Sequence, residues 1–260
     1  MKKRILFAAL CAIGTANYAY AWGQTGHRVT GAIAEQYLTD DAKAAIARIL
    51  PNESVAEAST YADEMRSNPD HFWQKVAGPF HYVTVPEGKN YVEVGAPEQG
   101  DSYSALTDFT KTLKDPKASM ADKQLALRFA IHIIGDLHQP LHAGNGTDRG
   151  GNDVKVQFFG DDSNLHRVWD SGLIDRRGLS FTEWSQWLGS KISEQQAEEW
   201  MTTDPLIYIE ESTRIRDEIY PEGERLSWDY LYNHIPMVKL RLQQGGVRIA
   251  AYLNEVFASE

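Results

Sequence analysis

The chain has one cysteine in 260 residues, Cys11, and it falls inside an N-terminal leader. Beyond it there is no thiol nucleophile, no thiolate metal ligand and no possible disulfide, so the rest of the chain must fold and work without cysteine chemistry. Leu10, directly before Cys11, is not the small residue that a lipidation cysteine takes. Long apolar runs are also missing: after residue 21 none approaches the ~20 residues of a membrane span. Positive charge is scarce, with 26 Lys and Arg against 36 Asp and Glu and a net charge of -10. Proteins that grip duplex DNA through many phosphate contacts are usually basic. This one is not, so any phosphate chemistry must draw its positive charge from something bound. Repeats, low-complexity tracts and linkers are absent as well.

The leader itself is legible. Lys2, Lys3 and Arg4 form a basic head, Ile5 to Ala12 an apolar stretch, and "AYA" ends at Ala21. That is a secretory signal with a small-x-small cleavage site. Cleavage before Trp22 is expected to leave residues 22–260 as one domain, secreted or periplasmic, with no membrane association and monomeric. Losing three basic residues takes the net charge from -10 to -13.

Helical periodicity dominates what remains. "HRVTGAIAEQYL", "DDAKAAIARIL" and "ASTYADEM" carry apolar residues at three-to-four spacing. The spacing predicts a long helix over 119–139 capped by Ser119, helical chain through "FTEWSQWLGSKISEQQAEEWM" and 205–219, and a last helix from about 226 to 258. Strand signals are short: "FHYVTV" at 80–85 and "DVKVQFF" at 153–159. The expected fold is mainly α, a single domain with one or two short hairpin strands.

Eight histidines are present, and three of them crowd into "HIIGDLHQPLH", residues 132–142. His132 and Asp136 lie four apart on the long helix, so both leave the same face one turn apart. Pro140 disfavours helix at Gln139, so His142 is expected to leave in a new direction. "HRVWD" repeats the spacing with His166 and Asp170, across the glycine-rich stretch "HAGNGTDRGGND". His81 in the middle of the first strand, Asp63 in "YADEM" and His27 add further donors. Imidazole and carboxylate are the ligands zinc takes when thiolates are absent. The pattern reads as a zinc site, with a solvated or core-satisfied cluster as the plainer alternative. It does not give the number of metals. His71 and His234 read as surface or packing residues, and His138 as a non-ligand.

The motifs "WGxxGH" at a processed N-terminus, "YADxxR", "FHY", "HxxGDxHQPLH", "GGN" and "HxVWD", in this order, resemble the zinc-dependent single-strand-specific nucleases, whose fold is shared by the zinc-dependent phospholipases C. The resemblance implies three zincs: one held by Asp63, His81 and His132, one by the amine and carbonyl of Trp22 with His27, and one by His142, His166 and Asp170. Asp136 would bridge the first two. It implies hydrolysis of single-stranded DNA and RNA to 5′-phosphates, with 3′-nucleotidase activity, Asp63 orienting the attacking water and Arg66 stabilising charge at phosphorus. Tyr82 would stack on a base, and Gly151 and Asn152 would hold the nucleotide. Three zinc ions would supply the positive charge that the chain lacks. Thr84 departs from the family pattern, where an acidic or amide residue is common. A phospholipase C and a non-catalytic zinc-binding protein are the alternatives.

Overall fold

Helix starts follow local chemistry that the sequence spells out. Thr39, Ser54, Asn90, Asp101, Ser119, Ser180, Ser193 and Asp204 each turn a side-chain oxygen onto a backbone N–H in the first turn of the following helix. Each satisfies a donor that has no partner within its helix. The computed structural model describes residues 22–258; the expected leader, residues 1–21, lies outside them.

In chain order the helices are α1 (Gln24–Ala34), α2 (Asp40–Ile49), α3 (Val55–Ala58), α4 (Tyr61–Glu64), α5 (Tyr91–Val94), α6 (Ser102–Lys114) and α7 (Met120–Asp136). After them come α8 (Leu165–Arg167), α9 (Leu173–Asp175), α10 (Phe181–Gly189), α11 (Glu194–Trp200), α12 (Pro205–Glu218) and α13 (Trp228–Val256). Two small sheets accompany them. Strand β1 (Val83–Thr84) runs parallel to β2 (Ala143–Gly144), and β3 (Lys155–Phe158) lies between β4 (Asp161–Asn164) and β5 (Arg225–Leu226). The fold is mainly α, as expected.

Three local expectations change. The stretch 181–201 is two helices, because Ser193 and Gln196 form a capping box that starts α11 afresh. "FHYVTV" is strand only at Val83–Thr84, because Pro79 at the head of a 3-10 turn, Gly78–His81, fixes a helical φ there. His81 therefore closes that turn instead of sitting mid-strand. The strand read at 153–159 is shorter and belongs to a hairpin whose second strand, "DDSN", has no apolar pattern. Its two-residue turn, Phe159-Gly160, has φ of 53° and 93°, the left-handed pair that suits the strand twist.

Two apolar clusters make up the core. One gathers around Phe129, which stacks between Phe109 and Trp73 at centroid distances of 4.7 and 5.7 Å. The other holds Trp22, Trp169 and Trp184. Helices α1 and α13 contribute to both, Ala34 and Ile249 to the first and Ile33 and Leu242 to the second.

Between α7, α12 and α13 lies a buried polar knot. Glu211 accepts from Arg241 and Arg248, with shortest separations of 2.5 Å. Arg241 donates to the His138 carbonyl at 3.1 Å. His138 donates from Nδ1 to the Ile134 carbonyl at 2.7 Å and meets Arg248 at Nε2, 3.1 Å away. Both of its ring nitrogens are thus engaged within the knot. Burial works against ionising Glu211, but Arg248 and Arg241 outweigh it and hold the carboxyl down to about 2. Glu211→Gln removes the counter-charge of two buried guanidiniums, and the expected loss is about 3 kcal/mol at neutral pH, read from the urea midpoint. A folded pKa below the unfolded one stabilises above the unfolded value, ~4.3, and that benefit fades as pH falls toward 2. The gap between wild type and variant should therefore close over the same window.

Candidate metal centre

Helix α7 is the platform of the site. Its apolar second half is buried on every side, and within it His132 and Asp136 leave one face a turn apart, both with no exposure. Beyond Gln139 a 3-10 turn, Pro140–His142, swings His142 back until Nδ1 lies 3.6 Å from Asp136. The parallel pair β1–β2, register Val83↔Ala143, holds the chain after His81 beside the chain after His142. Arg216 of α12 clasps that pair by donating to the carbonyls of Val85 and Ala143, at 2.8 and 2.6 Å. Helix α4 brings Asp63, α1 brings His27, α8 brings His166, and the π-helical turn Val168–Gly172 brings Asp170.

Among the described residues, three buried groups each bring candidate ligand atoms within 4.8 Å of one another: His27, His132 and Asp136; Asp63, His81 and His132; His142, His166 and Asp170. Backbone carbonyls orient the rings. Nδ1 donates from His132 to Ser59 O at 2.7 Å, from His142 to His81 O at 2.6 Å and from His166 to Gly150 O at 2.6 Å. A carbonyl can only accept, so in the neutral rings Nε2 carries the lone pair that a metal needs. Nε2 of His166 points at Asp170 Oδ2, 3.2 Å away, and Nε2 of His27 at Asp136 Oδ1, also 3.2 Å.

Five buried donor-set atoms have no hydrogen bond: both ring nitrogens of His27, Asp63 Oδ1, Asp136 Oδ1 and Asp170 Oδ2. Asp63 Oδ1 lies 3.1 Å from Arg66 Nε, close enough for an ion pair but without hydrogen-bond geometry. Buried carboxylate oxygens left this way are costly, and cations are the partners that such oxygen and nitrogen sets take. The electrostatics agree. Burial works against charge on Asp136, but His132 and His142 outweigh it and hold the carboxyl well below its usual range. Burial also opposes protonating His142, yet Asp136 and Asp170 lift it to about 9. His81 goes the other way, down to about 4, through burial and the neighbouring Arg66.

A cleft of about 560 Å³ opens over these groups. Arg66, Trp73, His81, Tyr82, His142, Arg149, Asn152 and His166 are among the residues that line it. Tyr82 is 43% exposed, an aromatic face turned to the cleft. Thr84 lines it too. Gly151 stands behind the wall, which its neighbour Gly150 forms. Trp22 is wholly buried, and the next residue's N–H donates to the Asp170 carbonyl at 2.7 Å. His71 is exposed, and His234 packs on Tyr230 and Trp169.

The profile of the S1/P1 Nuclease family matches residues 22–258. The chain belongs to the S1/P1 nuclease family. It is accordingly a nuclease. Curated relatives span nearly the same length. Endonuclease 4 of Arabidopsis thaliana is 30% identical over 94% of this chain and 92% of its own. Endonuclease 2 of the same plant is 29% identical over 92% and 91%. Nuclease P1 of Penicillium citrinum is 29% identical over 92% of this chain and 99% of its own. Among solved structures, "Alpha Toxin from Clostridium Absonum" aligns with a TM-score of 0.49 at 14% identity over 90% of this chain. The nuclease spans 63% of that toxin chain, a loose likeness.

Two residues of the nuclease site had no role in the sequence reading. Gln139, wholly buried, donates to Asp170 Oδ1 at 2.5 Å and accepts from Leu141 N at 2.6 Å, so it fixes the carboxylate from behind. Its place in "HQPLH" was the available signal. Gly135 is the second. A Cβ there would stand 3.1 Å from His27 Nδ1 and 3.3 Å from Cε1, so a side chain at this position would push that ring by a few tenths of an ångström from where α1 sets it against α7. Gly135→Ala is expected to shift His27 and weaken metal retention by about tenfold or more. Stepwise dialysis against a chelator, with circular dichroism to verify the fold, measures it; unchanged retention would count against the role given to Gly135.

Proposed function

We propose that this nuclease is a three-zinc phosphodiesterase that cuts single-stranded DNA and RNA to 5′-phosphate products and removes phosphate from 3′-nucleotides. The observation that carries the reading is the set of three buried His/Asp groups with unsatisfied carboxylate oxygens beneath one cleft. Asp63, His81 and His132 would hold one zinc. His27 with the amine and carbonyl of Trp22 would hold a second, and Asp136 would bridge the two. His142, His166 and Asp170 would hold the third. An α-amine titrates near ~7.7–8, so giving up its proton to a metal costs little at neutral pH. That part of the reading requires cleavage before Trp22 and export of residues 22–260 as one domain. The burial of Trp22 and the start of the family match at that residue support it.

Zinc, when bound, supplies Lewis acidity and a water acidic enough to attack at neutral pH. The side chains do the rest. Asp63 orients the attacking water, and Arg66, held against it at 3.1 Å, meets charge developing at phosphorus. Tyr82 offers a face to one base, a contact worth roughly 1–3 kcal/mol and tolerant of sequence. An unstacked base is required for it, which favours single strands. Asn152 presents an amide at the same cleft.

Protein beginning at Trp22 should contain three zincs by elemental analysis, and its cutting of single-stranded DNA should stop on chelation and return with zinc. A protein that keeps one extra residue before Trp22 should bind one zinc fewer. Three zincs without cutting, but with release of phosphocholine from phosphatidylcholine, would favour a phospholipase. Three zincs with neither activity would favour a non-catalytic metal protein.

A further inference from the structure

Arg66 and Arg149 both line the cleft, but their settings differ. Arg66 is committed to the metal groups through Asp63. Arg149 pairs with Asp153, through Nε at 3.1 and 3.0 Å and Nη2 at 2.6 Å. Those side chains are 62% and 48% exposed. An ion pair that wet sets a direction for the guanidinium but is weak enough to be exchanged for a phosphate.

We propose that Arg149 forms a second phosphate subsite, binding the phosphate next along the strand from the one being cut, and thereby sets the preference for strands over mononucleotides. The proposal rests on the single-strand reading above.

The loop is built to present this side chain. Arg149 has a φ of 55°, which a side chain adopts only under strain that its surroundings must overcome. They do so on several sides. Asp148 accepts from Gly151 N at 2.9 Å and from the Tyr220 hydroxyl at 2.6 Å, and Asn145 donates to that hydroxyl at 3.1 Å. The Arg149 carbonyl accepts from Asn152 Nδ2 at 2.9 Å, and the next carbonyl, of Gly150, takes His166 Nδ1 at 2.6 Å. One braced loop thus fixes the amide that faces the nucleotide, the ring of a metal-group histidine, and Arg149 beside both. A 3′-mononucleotide carries a single phosphate, which belongs at the metal groups. Only a strand offers another. In a chain with net charge -10, a cation on the cleft wall is well placed to take it.

The test compares binding of two slowly hydrolysed probes to zinc-loaded protein: a phosphorothioate hexathymidylate and thymidine 3′-phosphorothioate. The quantity read is the ratio of the two affinities and its salt dependence. In Arg149→Gly, which suits the positive φ of the backbone and whose fold circular dichroism verifies, the ratio is expected to fall about 3- to 10-fold. The slope of log affinity for the strand against log salt should become shallower by about 0.7, the value of one single-strand phosphate contact. Arg149→Lys keeps the charge and should retain most of the ratio. Equal weakening of both probes, an unchanged ratio, or loss in the lysine variant as large as in the glycine one would overturn the subsite. Turnover of unmodified single-stranded DNA by the wild type is measured alongside; its absence would strike the single-strand reading, while the affinity ratio still decides on Arg149.

Discussion

Asp136 is completely buried, and four histidines turn ring nitrogens toward its two oxygens: His132 at 3.0 Å, His27 and His81 at 3.2 Å and His142 at 3.6 Å. A lone ionised carboxylate in such a place would be prohibitively unstable. It persists because positive charge, protonic or metallic, is gathered around it. The four histidines come from α1, the turn before β1, α7 and the turn after it, so this one carboxylate ties together parts of the chain more than a hundred residues apart. Much of the remaining architecture can be read as what is needed to bring them there.

The supports are layered. Carbonyls of Ser59, His81 and Gly150 hold three rings in the orientation that frees Nε2. Gln139 holds Asp170, and Arg216 holds the short parallel strands on which the cleft floor depends. Behind these, Glu211, Arg241, Arg248 and His138 fasten the end of α7 to α12 and α13. Gln139, Arg216 and the Glu211 knot stand outside the cleft lining. Their effect is to leave the inner donors few alternative positions, and a metal site or a phosphodiesterase needs that rigidity more than flexibility.

The sequence was most informative where chemistry and periodicity coincide. His132 and Asp136 share a helical face, and both were legible because α7 is long, strongly apolar and capped by Ser119. His166 and Asp170 were legible by the same spacing, although the turn carrying Asp170 is π-helical. His81 was found as a donor but set in the wrong local structure, since alternation in "FHYVTV" outweighed the signal of Pro79. Strand β4 has no signal of its own; its polar residues are strand because β3 and a two-residue turn make them so. The carbonyl supports were invisible, because every residue has a carbonyl and only the fold selects three of them. Arg216 and Glu211 were hidden for a related reason: an arginine or glutamate on an amphipathic helix reads as solvent-facing until the partner helices are in place.

The central claim is that these donors exist to hold metal, and crystals of the protein beginning at Trp22 would test it most directly through anomalous scattering collected on both sides of the zinc edge. The account predicts three peaks, two flanking Asp136 and one between His142, His166 and Asp170, each vanishing below the edge. A map with no peak at these groups, at full zinc loading, would contradict it and leave the buried carboxylates balanced by protons alone.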